Sequence, residues 1–239
     1  MTNKFTKTLV AAVLASGAGT AVALDDISAN VALGTDYIFR GVSQTDSGPA
    51  ISGGFDWAYD TGWNGLSLYV GTWGSNIDPQ FFGGDSKPSM ELDGYLGLSG
   101  SMGEIGYDVG WLRYFYPGGG FNDTTEWHIG GSWKWFGATY YYSKDWFGTG
   151  GDSASRIEGS FDYELPYGIA LTASVANNYG DGIEDFFVDS YVDWLVGLSK
   201  PWLGVDWGFT YTDTNISQSD CGGQSLCDSA FNVSVSKSF

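Results

Sequence analysis

Charged residues in this chain recur at every second position. Glu91-Leu92-Asp93, Glu126-Trp127-His128, Arg156-Ile157-Glu158 and Asp162-Tyr163-Glu164 each place two polar groups around one apolar residue. On an extended chain successive side chains point to opposite faces, so each pair shares one face, about 7 Å apart, with an apolar side chain turned away. Asp36, Asp56, Asp108, Asp189, Asp193 and Asp206 fall on the same parity in their own segments. Walls of one sign raise the local concentration of counter-ions, so this set would line a conduit for cations or neutral polar solutes. The candidate lining residues are thus Asp36, Arg40, Asp56, Glu91, Asp93, Asp108, Glu126, His128, Arg156, Glu158, Asp162, Glu164, Asp189, Asp193 and Asp206. Arg40 and Arg156 fall at segment ends next to long loops. They either oppose the acids across a constriction or line the mouth in contact with solvent, and the second reading is the simpler.

Other chemistry has less support. His128 is the only histidine. A hydrolase would need a nucleophile within hydrogen-bond reach of it, and Ser132 shares its face four positions away. Outer-membrane deacylases and phospholipases place a Ser two residues from the His, where this chain has Gly130, so His128 reads as a hydrogen-bonding residue of the lumen and no catalytic residue is assigned. Gly118-Gly119-Gly120 and Gly148-Thr149-Gly150-Gly151 complete no phosphate-binding motif. The acidic run Asp181, Glu184, Asp185 lacks the spacing of a calcium loop. Cys221 and Cys227 have no His or further Cys beside them to complete a zinc site, and read as a short disulfide that staples a polar loop. No cofactor and no metal is expected.

The elements that would position these residues are strands. From Asp25 onward the sequence resolves into about twelve segments of roughly ten residues with period-two alternation, the pattern of a membrane barrel. They run Ile27 to Phe39, Gly48 to Tyr59, Gly65 to Gly74, Ser89 to Gly100, Glu104 to Tyr116, Thr124 to Lys134, Gly137 to Trp146, Ser153 to Leu165, Gly168 to Asn178, Val188 to Ser199, Gly204 to Thr212, and Asp228 to Phe239. Tight turns at Asp60 to Asn64, Ser101 to Gly103, Trp135 to Phe136, Pro166 to Tyr167 and Lys200 to Leu203 alternate with longer Gly- and Asp-rich links. Outer-membrane barrels put short turns on the periplasmic side and long loops outside, with both termini inside when the strand count is even. Opposite the acids stand Val31, Leu33, Ile51, Phe55, Leu96, Leu98, Ile129, Val175, Val196, Leu198 and Phe209, which predicts a lipid-facing side. Arg113 breaks this segregation and calls for a bulge or a position near the outer rim. Lys237 breaks it too, but near an end where its stem can snorkel to the interface. The final strand ends on Phe239, the usual terminus of such barrels, and must pair with the first to close the wall.

Composition sets further bounds. Lys4 and Lys7, the apolar run Leu9 to Ala15 and Ala21-Val22-Ala23 predict a signal peptide over 1–23, leaving a single barrel domain over 24–239. No stretch reaches the ~20 apolar residues of a membrane helix. Of Lys+Arg 10 and Asp+Glu 28, removal of Lys4 and Lys7 leaves 8 against 28, a net charge of −20, which argues against nucleic acid as a partner. The expected partners are outer-membrane lipid and lipopolysaccharide, and small polar or cationic solutes. A barrel of about twelve strands lies between those filled by side chains and those that leave a wide channel.

One resemblance adds to this. The run Asn30-Val31-Ala32-Leu33-Gly34-Thr35-Asp36-Tyr37-Ile38-Phe39-Arg40-Gly41-Val42-Ser43-Gln44-Thr45, with Gly48-Pro49-Ala50-Ile51, Gly53-Gly54-Phe55-Asp56, Trp73-Gly74-Ser75-Asn76-Ile77-Asp78, Glu91-Leu92-Asp93-Gly94-Tyr95, Tyr107-Asp108-Val109-Gly110 and Tyr116-Pro117-Gly118, resembles the TorF family of proteobacterial outer-membrane proteins. The resemblance implies an outer-membrane barrel with a porin label and carries over no catalytic residue. The Cys221 to Cys227 loop departs from the pattern. The sequence is therefore expected to encode an all-β, antiparallel, up-and-down transmembrane barrel in the outer membrane of a Gram-negative bacterium. Its expected function is passive diffusion of small polar or cationic solutes. The alternatives are a plugged structural or adhesive barrel and, more remotely, a barrel-embedded lipid hydrolase.

Overall fold

The computed structural model describes residues 27–63, 65–79, 88–118, 123–148, 150–187 and 189–239; the expected signal peptide lies outside them. The elements in chain order are β1 (Ile27–Gly34), β2 (Ile38–Phe39), β3 (Val42–Ser43), β4 (Ala50–Asp60), β5 (Ser67–Asn76), β6 (Met90–Met102), β7 (Ile105–Phe115), β8 (Thr124–Trp133), β9 (Phe136–Ser143), β10 (Ala154–Leu165), β11 (Ile169–Tyr179), α1 (Asp181–Phe187), β12 (Tyr191–Trp202), β13 (Val205–Thr214) and β14 (Ala230–Ser238), with a 3-10 turn at Ser225–Cys227 before the last strand. β1 and β4 to β14 form one closed antiparallel barrel of twelve strands, each paired with its neighbour in sequence, while β2 and β3 make a separate two-stranded hairpin.

Closure satisfies every edge. β14 pairs with β1 in the register Asn30 to Ser238 through Gly34 to Ser234, and beyond it the backbones of Ala29 and Phe239 exchange two hydrogen bonds, of 3.2 and 2.9 Å. The described strands thus leave no sheet edge, which is what a wall in contact with lipid requires.

Parity sorts the side chains as the alternation predicts. Leu33, Ile51, Phe55, Leu96, Trp127, Ile129, Val175 and Phe231 stand exposed on the outside, an arrangement that water would penalise and a bilayer rewards. Around the short-turn end, Tyr59, Trp63, Trp133, Trp135, Tyr167 and Trp202 form an exposed aromatic girdle, the position such rings take at a membrane interface. The turns at this end use left-handed backbone: Leu203 and Gly204 have φ of 55° and 80°, as a two-residue hairpin turn matched to strand twist requires. Arg113 needs no bulge, because it lies two residues from the outer end of β7 and pairs with Asp123 at 2.9 Å. Lys237 donates to the Gly204 carbonyl at 2.7 Å, at the short-turn end.

The first strand is shorter than its alternation predicts. Pairing with β14 ends at Gly34, where the chain bends off the wall so sharply that a Cβ on Gly34 would stand 3.0 Å from the Asp36 carbonyl oxygen. Thr35 remains exposed and still donates its amide to the Val233 carbonyl at 3.0 Å; from Asp36 the chain turns inward, and the amides of Thr35 and Asp36 donate to the Asn232 carboxamide oxygen of β14 at 3.1 and 3.2 Å. Asp36 and Arg40 are therefore residues of an inserted segment and not of the wall.

Candidate functional site: the crossed outer mouth

The inserted hairpin is built for a narrow space. Phe39 pairs with Val42 around Arg40 and Gly41, whose φ of 51° and 82° fit a tight two-residue turn. A Cβ on Gly41 would collide with the Thr214 side chain and reach Asp193 at 3.0 Å, so only glycine fits the tip against the opposite wall. Arg40 accepts left-handed backbone, a costly state for a residue other than glycine, and aims its guanidinium across the mouth.

Buried polar residues ring the mouth at one level of the barrel. The third residues of β8, β10, β12 and β14 are Glu126, Arg156, Asp193 and Asn232, and all are buried. Arg40 Nη2 donates to both carboxylate oxygens of Glu126 at 2.7 Å, and its guanidinium lies 4.8 to 5.4 Å from the ring centroids of Phe39, Trp146 and Tyr141. The Tyr191 hydroxyl donates to the Arg40 carbonyl at 3.3 Å. Burial alone would lower the Arg40 pKa, but the Glu126 carboxylate beside it more than offsets this and raises it, so the guanidinium stays charged. Next to this pair, Arg156 binds Asp193 through both nitrogens, one contact at 3.1 Å, and Glu158 at 2.7 Å. Asn178 bridges the set, accepting from Arg156 at 2.9 Å and donating to Asp193 at 2.7 Å.

The base of the hairpin is tied as firmly. Tyr37 donates through its hydroxyl to Glu91 at 2.9 Å. Thr45 and Ser43 donate to Asp36 at 2.7 and 2.8 Å. Burial raises the Asp36 carboxyl above its ordinary pKa, against the pull of those two hydroxyls and the Tyr37 amide. Two outer segments pack on top. Ile183 of α1 is buried with Trp146, Ala154 and Tyr191 against Phe39, and Leu226 and Cys227 cover Val42. Cys221 and Cys227 form a disulfide with a Cα separation of 6.1 Å.

Deeper in the lumen, His128 contacts Asp108, and the Tyr69 hydroxyl lies 3.2 Å from Asp108 and 3.4 Å from His128 Nε2. Their rings occupy the space a Cβ on Gly110 would take. Ser132 lies beside Gly106 and Gly137, four residues or about 13 Å farther along the strand, so it does not join His128. Asp56 accepts from the Tyr95 hydroxyl, and Asp162 and Asp206 stand half-exposed toward the short-turn end.

Two sequence candidates fall outside this interior. Glu164 is exposed one residue from the end of β10, and Asp189 is exposed in the loop before β12, because alternation continues past the rim where no opposite wall remains. The tyrosines and the amide that complete the network, Tyr37, Tyr69, Tyr95, Tyr114 and Asn178, are absent from the sequence-derived set. Those on strands share the inward parity, so reading that face for uncharged donors as well as for acids would have found them. The hairpin itself is marked by Arg40-Gly41 between the strand formers Ile38-Phe39 and Val42.

A family model matches residues 18–239. The chain belongs to Gcw_chp, described as a bacterial protein of unknown function. That description does not carry the TorF label. No curated protein matches the Gcw_chp chain. Among solved structures it is similar to the NanC porin, with a TM-score of 0.57 at 12% identity over 87% of this chain and 98% of that one. It is also similar to the COG4313 outer membrane channel of Pseudomonas putida F1, with a TM-score of 0.53 at 11% identity over 95% of this chain and 100% of that one. At such identities the likeness establishes the shared fold, a closed outer-membrane-type barrel.

Proposed function

We propose that this chain is an outer-membrane channel for small polar or cationic solutes whose outer mouth is narrowed by the β2–β3 hairpin. The observation that carries the reading is the level of charged residues at the mouth, where Arg40 reaches from the hairpin to Glu126 of β8, and Arg156 of β10 pairs along the wall with Asp193 of β12 and with Glu158 of its own strand. A barrel that served only as a wall could fill this level with apolar side chains at no loss, since replacing buried ion pairs by packed hydrophobic groups is commonly neutral or stabilising. Charges held at a constriction instead sort solutes by sign. Below the mouth Asp56, Asp162 and Asp206 keep the lumen acidic, which favours cations. The two similar structures are those of a porin and an outer membrane channel, which agrees with this reading, as does the expected export to the outer membrane.

The test is electrical. Purified protein in planar bilayers is expected to give small conductance steps, and a salt gradient a reversal potential of cation-selective sign. Anion preference would remove the role given to the acids. Absence of steps, both in the native protein and in one lacking residues 37–44, would end the channel reading. That result would leave a plugged structural barrel, a reading favoured by the sealing of Tyr114, Thr124, Ser143, Asn178 and Ile183 in the outer half.

A further inference from the structure

Among the described residues of the mouth, Asp93 is the acid that neither an arginine nor a hydroxyl engages. It is the fourth residue of β6, only 3% exposed, and both carboxylate oxygens are enclosed without a hydrogen-bond partner. Its neighbours deepen the imbalance. Glu91 precedes it by two residues on the same face, and Glu91 and Glu126 both lie within electrostatic reach. The basic groups of this level are already engaged, Arg40 by Glu126 and Arg156 by Asp193 and Glu158. An enclosed carboxylate beside two others must carry a counter-charge or a proton.

The surroundings select the kind of counter-charge. Calcium seeks six to eight oxygen donors and magnesium an octahedron of six, and no group of three His, Cys, Asp or Glu that could hold a metal ion occurs among the described residues. Aromatic side chains frame the site instead. Trp73 and Tyr114 are the ladder partners of Asp93 on the two adjacent strands, Tyr37 packs on Trp73 with ring centroids 5.1 Å apart, and Tyr95 follows on the same face of β6. A carboxylate set among aromatic rings suits an ammonium-type cation, which gains from the charge and from the rings together.

We propose that Asp93 seats a small organic ammonium ion, a primary or methylated amine, in the wall of the mouth. The proposal rests on the channel reading for the site's place on a permeation route; binding itself is measurable without transport. The hairpin covers the site through Tyr37, so exchange of the ion requires Tyr37 to lift from Glu91.

The experiment uses the full chain folded in detergent, titrated with methylammonium chloride against sodium chloride at constant ionic strength, with tryptophan fluorescence and thermal stability as readouts. A saturable response is expected in the native protein. Asp93→Asn should weaken it at least tenfold, and Asp93→Glu should retain most of it. Heat-dependent gel mobility verifies that each variant is folded. No saturable response in the native protein, meaning that Asp93 carries a proton only, would overturn the proposal, as would an equal response in Asp93→Asn. The two readings separate cleanly. Conductance without methylammonium binding overturns the site and leaves the channel, and binding without conductance does the reverse.

Discussion

In the outer half of the lumen Arg40 and Arg156 pair with three acids, while Tyr114, Thr124 and Asn178 are sealed from solvent. In the inner half Asp56, Asp162 and Asp206 face the same lumen half-exposed, and none of the three joins a salt bridge among the described residues. Both halves are written in one inward parity on the same twelve strands. They differ in what stands opposite the wall: the inserted hairpin with α1 and the disulfide loop at one end, open lumen at the other. A charge is therefore a structural element where a loop covers it and a solvated electrostatic one where none does.

That contrast can be broken most forcefully at Arg40. Arg40→Ala leaves Glu126 buried without its partner and should cost about 3 to 5 kcal/mol, read as a lowered urea midpoint of the folded barrel in detergent; adding Glu126→Leu should restore most of the loss. If the single variant keeps its midpoint, the outer half is as solvated as the inner. A charge on the other parity supplies the scale: Ile129→Arg, facing lipid, should cost about 2 to 4 kcal/mol if near the bilayer midplane, seen as poor assembly into liposomes. At the hairpin base, Asn232→Ala leaves the Asp36 amide without its acceptor, while the Thr35 amide keeps the Val233 carbonyl at 3.0 Å, and should cost about 1 to 3 kcal/mol, with conductance rising as the hairpin loosens. The smallest effect is expected at Asp162→Asn in the open half, within about 0.5 kcal/mol of the native stability, while the reversal potential in a salt gradient falls. A large stability loss there would erase the distinction between the halves.

The barrel was legible because each wall strand carries its own local proof. Leu92 between Glu91 and Asp93, or Ile157 between Arg156 and Glu158, can be sorted by parity without knowledge of the neighbours. The Arg40-Gly41 turn is marked by the strand formers around it, but the start of the inserted segment is hidden by the same rule: Tyr37-Ile38-Phe39 continues the alternation of β1, and only the bend at Gly34, held by Asn232 nearly two hundred residues later, ends the strand. Parity also promises Glu164 an inward role that holds only while a wall stands opposite. The Arg40 to Glu126 pair joins positions with no sequence relation, because their meeting depends on how far a loop reaches across a closed ring.

Asn232 gives that closure a temporal order. Its carboxamide receives the amides of Thr35 and Asp36 and the Thr35 hydroxyl at 3.1, 3.2 and 2.7 Å, so the first loop is fastened by the last strand. We infer that the hairpin seats only after β14 has docked on β1, and that the assembling wall passes through a stage in which the conduit is complete and its obstruction is still loose. Protease cleavage near Arg40 during refolding should then persist until the seam forms and stop once it has; protection that precedes the seam would reverse the order.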